Sequence, residues 1–215
     1  MNFNNHSILK GRHAILSPSQ PSFLNAENYD DIIARIAPKY SSLIGTTLHT
    51  FAEDRIRYGF KVNKNDKRTA QLELLKAGVP ASVVNYVDFD NMYDNLMAYI
   101  NDCIGYKMQP EVILYLSEVC FGTADAISYN EKTGLLRIHD LKTGTTPAHI
   151  EQLMTYAALF FLEYRAFKLS DSQVELRIYQ NNEVFIDTPG VDELLPLMDK
   201  IKSLNDYVLK IQGGY

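Results

Sequence analysis

With 215 residues, 46% of them apolar, and a formal net charge of −5, the chain can bury one core of ordinary size. It is too acidic to coat nucleic acid by bulk charge, because non-specific DNA affinity comes from Lys and Arg neutralising phosphates. Cys103 and Cys120 are the only cysteines, which excludes a disulfide scaffold and a four-cysteine iron–sulfur cluster and fits buried thiols in a reducing compartment. No stretch approaches ~18 continuous apolar residues, and the opening MNFNNHSILKGRH lacks the apolar run of a signal peptide, so a soluble, intracellular chain without a membrane role is expected.

In chain order, residues 1–30 are polar and rich in Asn, Ser and Pro, with turns at Ser17-Pro18 and Gln20-Pro21, and read as an irregular arm. A short helix is expected from Asp30 to Ala37, closed by Pro38. A second begins at Gly45 with Thr46 or Thr47 as cap, and Leu48, Phe51, Ala52 and Ile56 follow helical spacing. His49 and Glu53 lie four apart and share a face beside that stripe. Residues 64–79 form a third helix, ended by Gly78 and Pro80. Residues 81–104 read as one long amphipathic helix whose acids, Asp88, Asp90, Asp94 and Asp102, belong to a solvated face.

After Pro110 the pattern turns to strands at 111–116, 118–130 and 134–142, with a hairpin turn over Glu131–Gly134. Pro147 fits an early helical position after Thr145 or Thr146, and that helix runs on through Ile150, Leu153, Ala157 and Phe161. Residues 172–180 form a fourth strand, Asn181-Asn182 a turn and 183–187 a fifth strand. The tail, 191–212, is helical, with Pro196 tolerable only in its first turn. Its seam of Leu194, Leu197, Ile201, Leu204, Val208 and Ile211 is short enough that packing on the chain's own core is favoured over a dimer contact. The order predicts one α/β domain: a mixed central sheet flanked by helices, with additional N-terminal helices at 45–104, a catalytic core at 110–188 and the C-terminal helix.

The chemistry concentrates between Phe121 and Tyr156. Strand alternation points Asp140 and Lys142 to the face of Ile138, and His139 and Leu141 to the other. Asp125, on the neighbouring strand, can converge with Asp140. Two such carboxylates repel one another unless a cation lies between them, which suits a hard ion such as Mg²⁺ or Mn²⁺, with the Leu141 carbonyl as a further oxygen ligand. Lys142 can then hold the attacking water or stabilise charge on a phosphate. Gln152 and Tyr156, four apart on the next helix, present an amide and a phenol on one face.

Gly122-Thr123-Ala124-Asp125, Asp140-Leu141-Lys142-Thr143-Gly144 and Gln152-x-x-x-Tyr156, in that order, resemble the PD-(D/E)XK nuclease superfamily, and within it the RecB-like exonucleases of recombination enzymes and phages. Gly45-Thr46-Thr47-Leu48-His49-x-x-x-Glu53 is similar to the element that precedes that core, and the segment His13 to Ser19 resembles the opening of phage RecB-like proteins. The resemblance implies a restriction-endonuclease-like core and a Mg²⁺- or Mn²⁺-dependent deoxyribonuclease, exonuclease before endonuclease, in phage-type recombination or DNA processing. It places His49 at the metal, Asp125 and Asp140 as acids holding one or two ions, Lys142 as the catalytic lysine, and Gln152 and Tyr156 as the pair that positions DNA.

Implied partners are linear DNA ends, a single-strand annealing or binding protein, and further copies of the chain; the implied setting is the cytoplasm of a bacterial or phage-infected cell. The alternatives are an endonuclease or structure-specific nuclease on the same core, or a catalytically silent DNA-binding module. The superfamily often adds one more acid near the metals; Glu111 and Glu118 are the candidates, and both are expected at the solvated surface. Glu53 is open between supporting the metal and pairing with Arg57. Lys142, Lys107, Arg137, Lys168, Lys10 and Arg12 are the candidates for positive potential around the cleft.

Overall fold

The computed structural model describes residues 4–12, 14–144 and 146–213. His13 of the N-terminal motif and Thr145 at the expected start of a helix lie outside them. The described residues between 4 and 28 form turns and two short 3-10 segments, held to the body by Arg35, which donates to the Ile15 carbonyl and to Ser22 Oγ, both at 3.0 Å. Helix α1 (Tyr29–Ile36) opens on a capping box between Asn28 and Asp31.

Pro38 does not end the helical region. It sits early in a 3-10 turn, Ala37–Tyr40, that leads directly into α2 (Ser41–Tyr58), where a missing N–H costs little. Helix α2 therefore starts four residues before Gly45, and Thr46 and Thr47 are interior rather than caps. The Thr47 hydroxyl instead donates to the Leu43 carbonyl at 2.7 Å. Gly59, in the left-handed region at φ 70°, closes the helix.

Helix α3 (Lys67–Lys76) is followed by two helices where one was expected: α4 (Ala81–Tyr86) and α5 (Phe89–Gly105). Asp88 separates them by accepting from the Asn91 N–H at 3.2 Å, so this acid caps a helix rather than decorating its face. Asp102 also departs from the solvated face: it accepts from Arg177 at 3.0 Å and from the Tyr179 hydroxyl at 2.7 Å.

Five strands follow in spatial order β1 (Gln109–Ser117), β2 (Cys120–Asn130), β3 (Leu135–Leu141), β4 (Gln173–Gln180) and β5 (Glu183–Asp187). The β3–β4 pair is parallel because α6 (Glu151–Glu163) crosses over between them; the other pairs are antiparallel. Asn181 and Asn182, at φ 54° and 59°, make the two-residue β4–β5 turn. Pro147 lies in the loop ahead of α6, not in its first turn. That loop is tied down by Gln180, whose amide donates to the Gly144 and Thr146 carbonyls and accepts from the Ala148 N–H.

Strand alternation sorts the core into two layers. Leu141, Tyr179 and Ala126 pack with α1–α5, while Leu136, Ile138, Leu176 and Ile178 pack with α6 and α7 (Val191–Gly213). In α7 the buried side chains stop at Ile201; Leu204, Val208 and Ile211 are exposed, so packing on the chain's own core holds for the first half only. Pro196 is the sixth residue of α7, past the first turn. No described helix is long and apolar enough to cross a membrane.

Candidate metal centre and active site

The site begins with an irregularity in the β1–β2 pair. Pro110 pairs with Ala126 and Val112 with Ala124, which leaves Glu111 opposite Asp125. Glu111 has φ 53°, a conformation that costs a residue with a side chain on the order of 1–3 kcal/mol and persists where the surroundings hold it. Both strands reverse their alternation there: Met108 and Ala126 belong to the α5 side, Val112 and Ala124 to the α6 side. The two carboxylates are thus side by side where the sheet changes face.

Helix α2 adds His49. Its Nδ1 is 3.5 Å from Asp125 Oδ2, and ligand atoms of His49, Glu111 and Asp125 all lie within 4.8 Å of one another. Asp125 Oδ2 also accepts the Leu141 N–H at 3.0 Å. Burial holds the Asp125 carboxyl above its ordinary range; His49 pulls the other way and Asp140 pushes further up. Glu111 is open to solvent on one side, yet its carboxyl is also raised, by burial first and then by Asp125. Ionised carboxylates this close are unfavourable without a cation.

Beside this cluster, Asp140 is 3% exposed and faces Lys142, whose Nζ lies 3.0 Å from both carboxylate oxygens and donates to Oδ1. Oδ2 accepts no hydrogen bond among the described residues. Lys142 Nζ also donates to Gln152 Oε1 at 3.1 Å, and Gln152 Nε2 to Tyr156 Oη at 3.4 Å. One polar chain therefore runs from Asp140 through Lys142 and Gln152 to Tyr156.

Two glycines allow these elements to close on the sheet. A Cβ at Gly122 would stand 2.9 Å from Tyr156 Cε1, and one at Gly45 would stand 3.3 Å from Thr143 Oγ1. Gly122 makes room for the Tyr156 ring, and Gly45 lets the His49 helix approach the end of β3.

The expected residues come together with changes. His49 and Asp125 meet as anticipated, but their third partner is Glu111, expected at the solvated surface. Asp140 is engaged by Lys142 instead of joining the triplet. Leu141 touches the site through its N–H. Glu118 is exposed in the β1–β2 connection, and Glu53 pairs with Arg57. His149 is exposed, 3.9 Å from Glu151. His139 is fully buried on the opposite face, 3.2 Å from Tyr179 Oη and 3.7 Å from Cys103 Sγ. Burial, with Arg177 and Arg137, lowers its pKa to about 3. Arg137 pairs with Glu175 and lies over the Tyr106 ring, so it contributes to that far face and not to the cleft. A glutamate directly after Pro110 was the visible signal for Glu111; the β1–β2 register that sets it opposite Asp125 was not.

One imidazole and a set of closely spaced carboxylates suit a divalent cation of the Mg²⁺ or Mn²⁺ kind. The fold and site define a mixed α/β protein with a His–carboxylate cluster and a Lys–carboxylate pair at the β2–β3 junction. Residues 13–206 match the family described as protein of unknown function (DUF2800), and the chain belongs to that family. No curated protein matches it.

Proposed function

We propose that the chain is a Mg²⁺- or Mn²⁺-dependent deoxyribonuclease of PD-(D/E)XK type, acting as an exonuclease on linear DNA. The observation that carries this reading is the junction itself: the Leu141 N–H joins the His49–Glu111–Asp125 cluster to a strand whose flanking residues are Asp140 and Lys142. His49, Glu111 and Asp125 would hold the cation, with Asp140 Oδ2 as a further donor. The ion would supply Lewis acidity toward a phosphodiester and a water made more acidic.

The chain's own groups do the rest. The Lys142 ammonium, fixed between Asp140 and Gln152, faces the charge that develops on the phosphate. Tyr156 holds Gln152, and through it the direction of Lys142. The order of the motifs supports a role in phage-type recombination or DNA processing in a bacterial or phage-infected cytoplasm, beside a single-strand annealing or binding protein. Two free cysteines are compatible with that reducing setting.

The test is incubation of the purified chain with end-labelled linear DNA and closed circular DNA, with Mg²⁺, Mn²⁺ or EDTA. Metal-dependent loss of the linear form alone is expected. Cutting of the closed circle would replace the exonuclease with an endonuclease, and no cutting with any divalent ion would overturn the reading.

A further inference from the structure

This acidic chain has one basic tract. Between residues 55 and 76, seven Lys and Arg stand against two acids, although the whole chain is net −5. Arg57, Lys67 and Lys76 are paired with Glu53, Asp90 and Glu73. Arg55, Lys61, Lys64 and Arg68 make no ion pair among the described residues. Arg55 lies over the Phe51 ring, 4.9 Å from its centroid; cations without a carboxylate partner leave local positive potential, which suits the tract to an anion from outside.

Within this tract are two large aromatics. Tyr58 and Phe60 flank the left-handed Gly59, are 66% and 58% exposed, and have ring centroids 6.2 Å apart with planes inclined by 32°. Both line a cleft of about 610 Å³ between α2 and α3, along with Thr46, Thr50, Arg55, Lys76 and the acids Asp54 and Glu73; Lys64 and Arg68 line a second groove, along α3. Measured along α2, the cleft runs from Thr46, one turn before His49, to Tyr58, ~18 Å at 1.5 Å per residue. His49 is on the flank of α2 turned to the sheet and the cleft on the flank turned to α3; Thr46 and Thr50, both exposed, form the ridge between.

We propose that this surface binds single-stranded DNA, with bases stacking on Tyr58 and Phe60 in the cleft and phosphates meeting Arg55 beside them, Lys61, and Lys64 and Arg68 in the groove along α3. The strand then crosses the Thr46–Thr50 ridge toward His49. The identity of the strand as DNA rests on the nuclease reading above. Cations alone would serve a duplex or an acidic peptide equally well, but exposed ring faces beside them match unpaired bases, which a duplex hides within its stack.

The test is fluorescence anisotropy with a labelled oligothymidylate of about 12 nucleotides, within the usual site sizes for such grooves. EDTA in the buffer makes the readout independent of hydrolysis. Wild type should bind, and the double variants Tyr58→Ala/Phe60→Ala and Lys64→Glu/Arg68→Glu should each weaken binding at least about tenfold with unchanged melting temperature. The charge variant should also flatten the plot of log K against log salt by about 1.4, near 0.7 for each lost phosphate contact, while the aromatic variant leaves the slope unchanged. Absence of wild-type binding, wild-type affinity in both variants, tighter binding of a duplex of equal length, or equal displacement by polyglutamate would overturn the proposal. Hydrolysis of bis(p-nitrophenyl) phosphate with Mn²⁺, too small to span the cleft, separates the two readings. Its loss in wild type counts against the nuclease, and its retention in both variants leaves the nuclease standing whatever the binding result.

Discussion

Glu111 and Asp125 are the residues on which the site's electrostatics turn. Each carboxyl is raised in the fold, so each adds stability when protonated, at low pH, and loses it as pH rises through the raised value. Near neutrality the metal-free protein therefore carries two destabilising charges. Glu111→Gln and Asp125→Asn should each raise the melting temperature in EDTA at pH 7 and shrink or remove the rise that MnCl₂ gives wild type; scanning fluorimetry reads both. His139 has the opposite sign. Its pKa falls from 6.5 to about 3, so the unfolded chain binds the extra proton between those values and stability drops as pH falls through that window, by about 1.4 kcal/mol per unit. Urea titrations at several pH values should show this slope steeper in wild type than in His139→Gln. Equal slopes would mean that the imidazole is already charged in the fold.

At the scale of elements, strands and helices with a clear period were legible: all five strands, the crossover that makes β3 and β4 parallel, and the face shared by Asp140 and Lys142. Boundaries set by single side chains were not. Asp88 splits an amphipathic pattern that runs unbroken through residues 81–104 because it caps the Asn91 N–H, and Pro38 continues a helix because it falls in a first turn. Asp102 looked like a surface charge and Arg137 like a cleft cation; the packing of α5 against β3 and β4 brings them to Tyr179 and Tyr106, and the β3–β4 register sets Arg137 opposite Glu175. The choice between Glu111 and Glu118 stayed open for a related reason: alternation places residues on faces, and Glu111 lies where alternation reverses. Gly122 was legible as part of a motif, but its reason is steric. Gly122→Ala must displace the Tyr156 ring, 2.9 Å from the added carbon, and should destabilise the protein by about 1–3 kcal/mol, measured by urea unfolding. Unchanged stability would show that α6 shifts freely on the sheet.

For the whole molecule, two cores on opposite faces of one sheet leave the β2–β3 junction between layers, where α2 and α6 each contribute side chains from their own side. His49 arrives with the first core and Gln152 and Tyr156 with the second, so the site requires both layers to be packed. Net charge suggested little affinity for DNA, but it averages over a chain whose cations are concentrated in one contiguous tract along α2 and α3. The claim at the centre of this account is that the junction cuts phosphodiester bonds with a divalent ion. Its most direct measurement is the single-turnover cleavage rate of end-labelled linear DNA in Mg²⁺ by wild type, Lys142→Ala and Glu111→Gln, each checked for folding by its melting curve. Wild type should cut, and each variant should lose about 100-fold or more, the scale of removing a group that stabilises transition-state charge. Wild-type rates in both folded variants, or cutting that EDTA leaves unchanged, would contradict it.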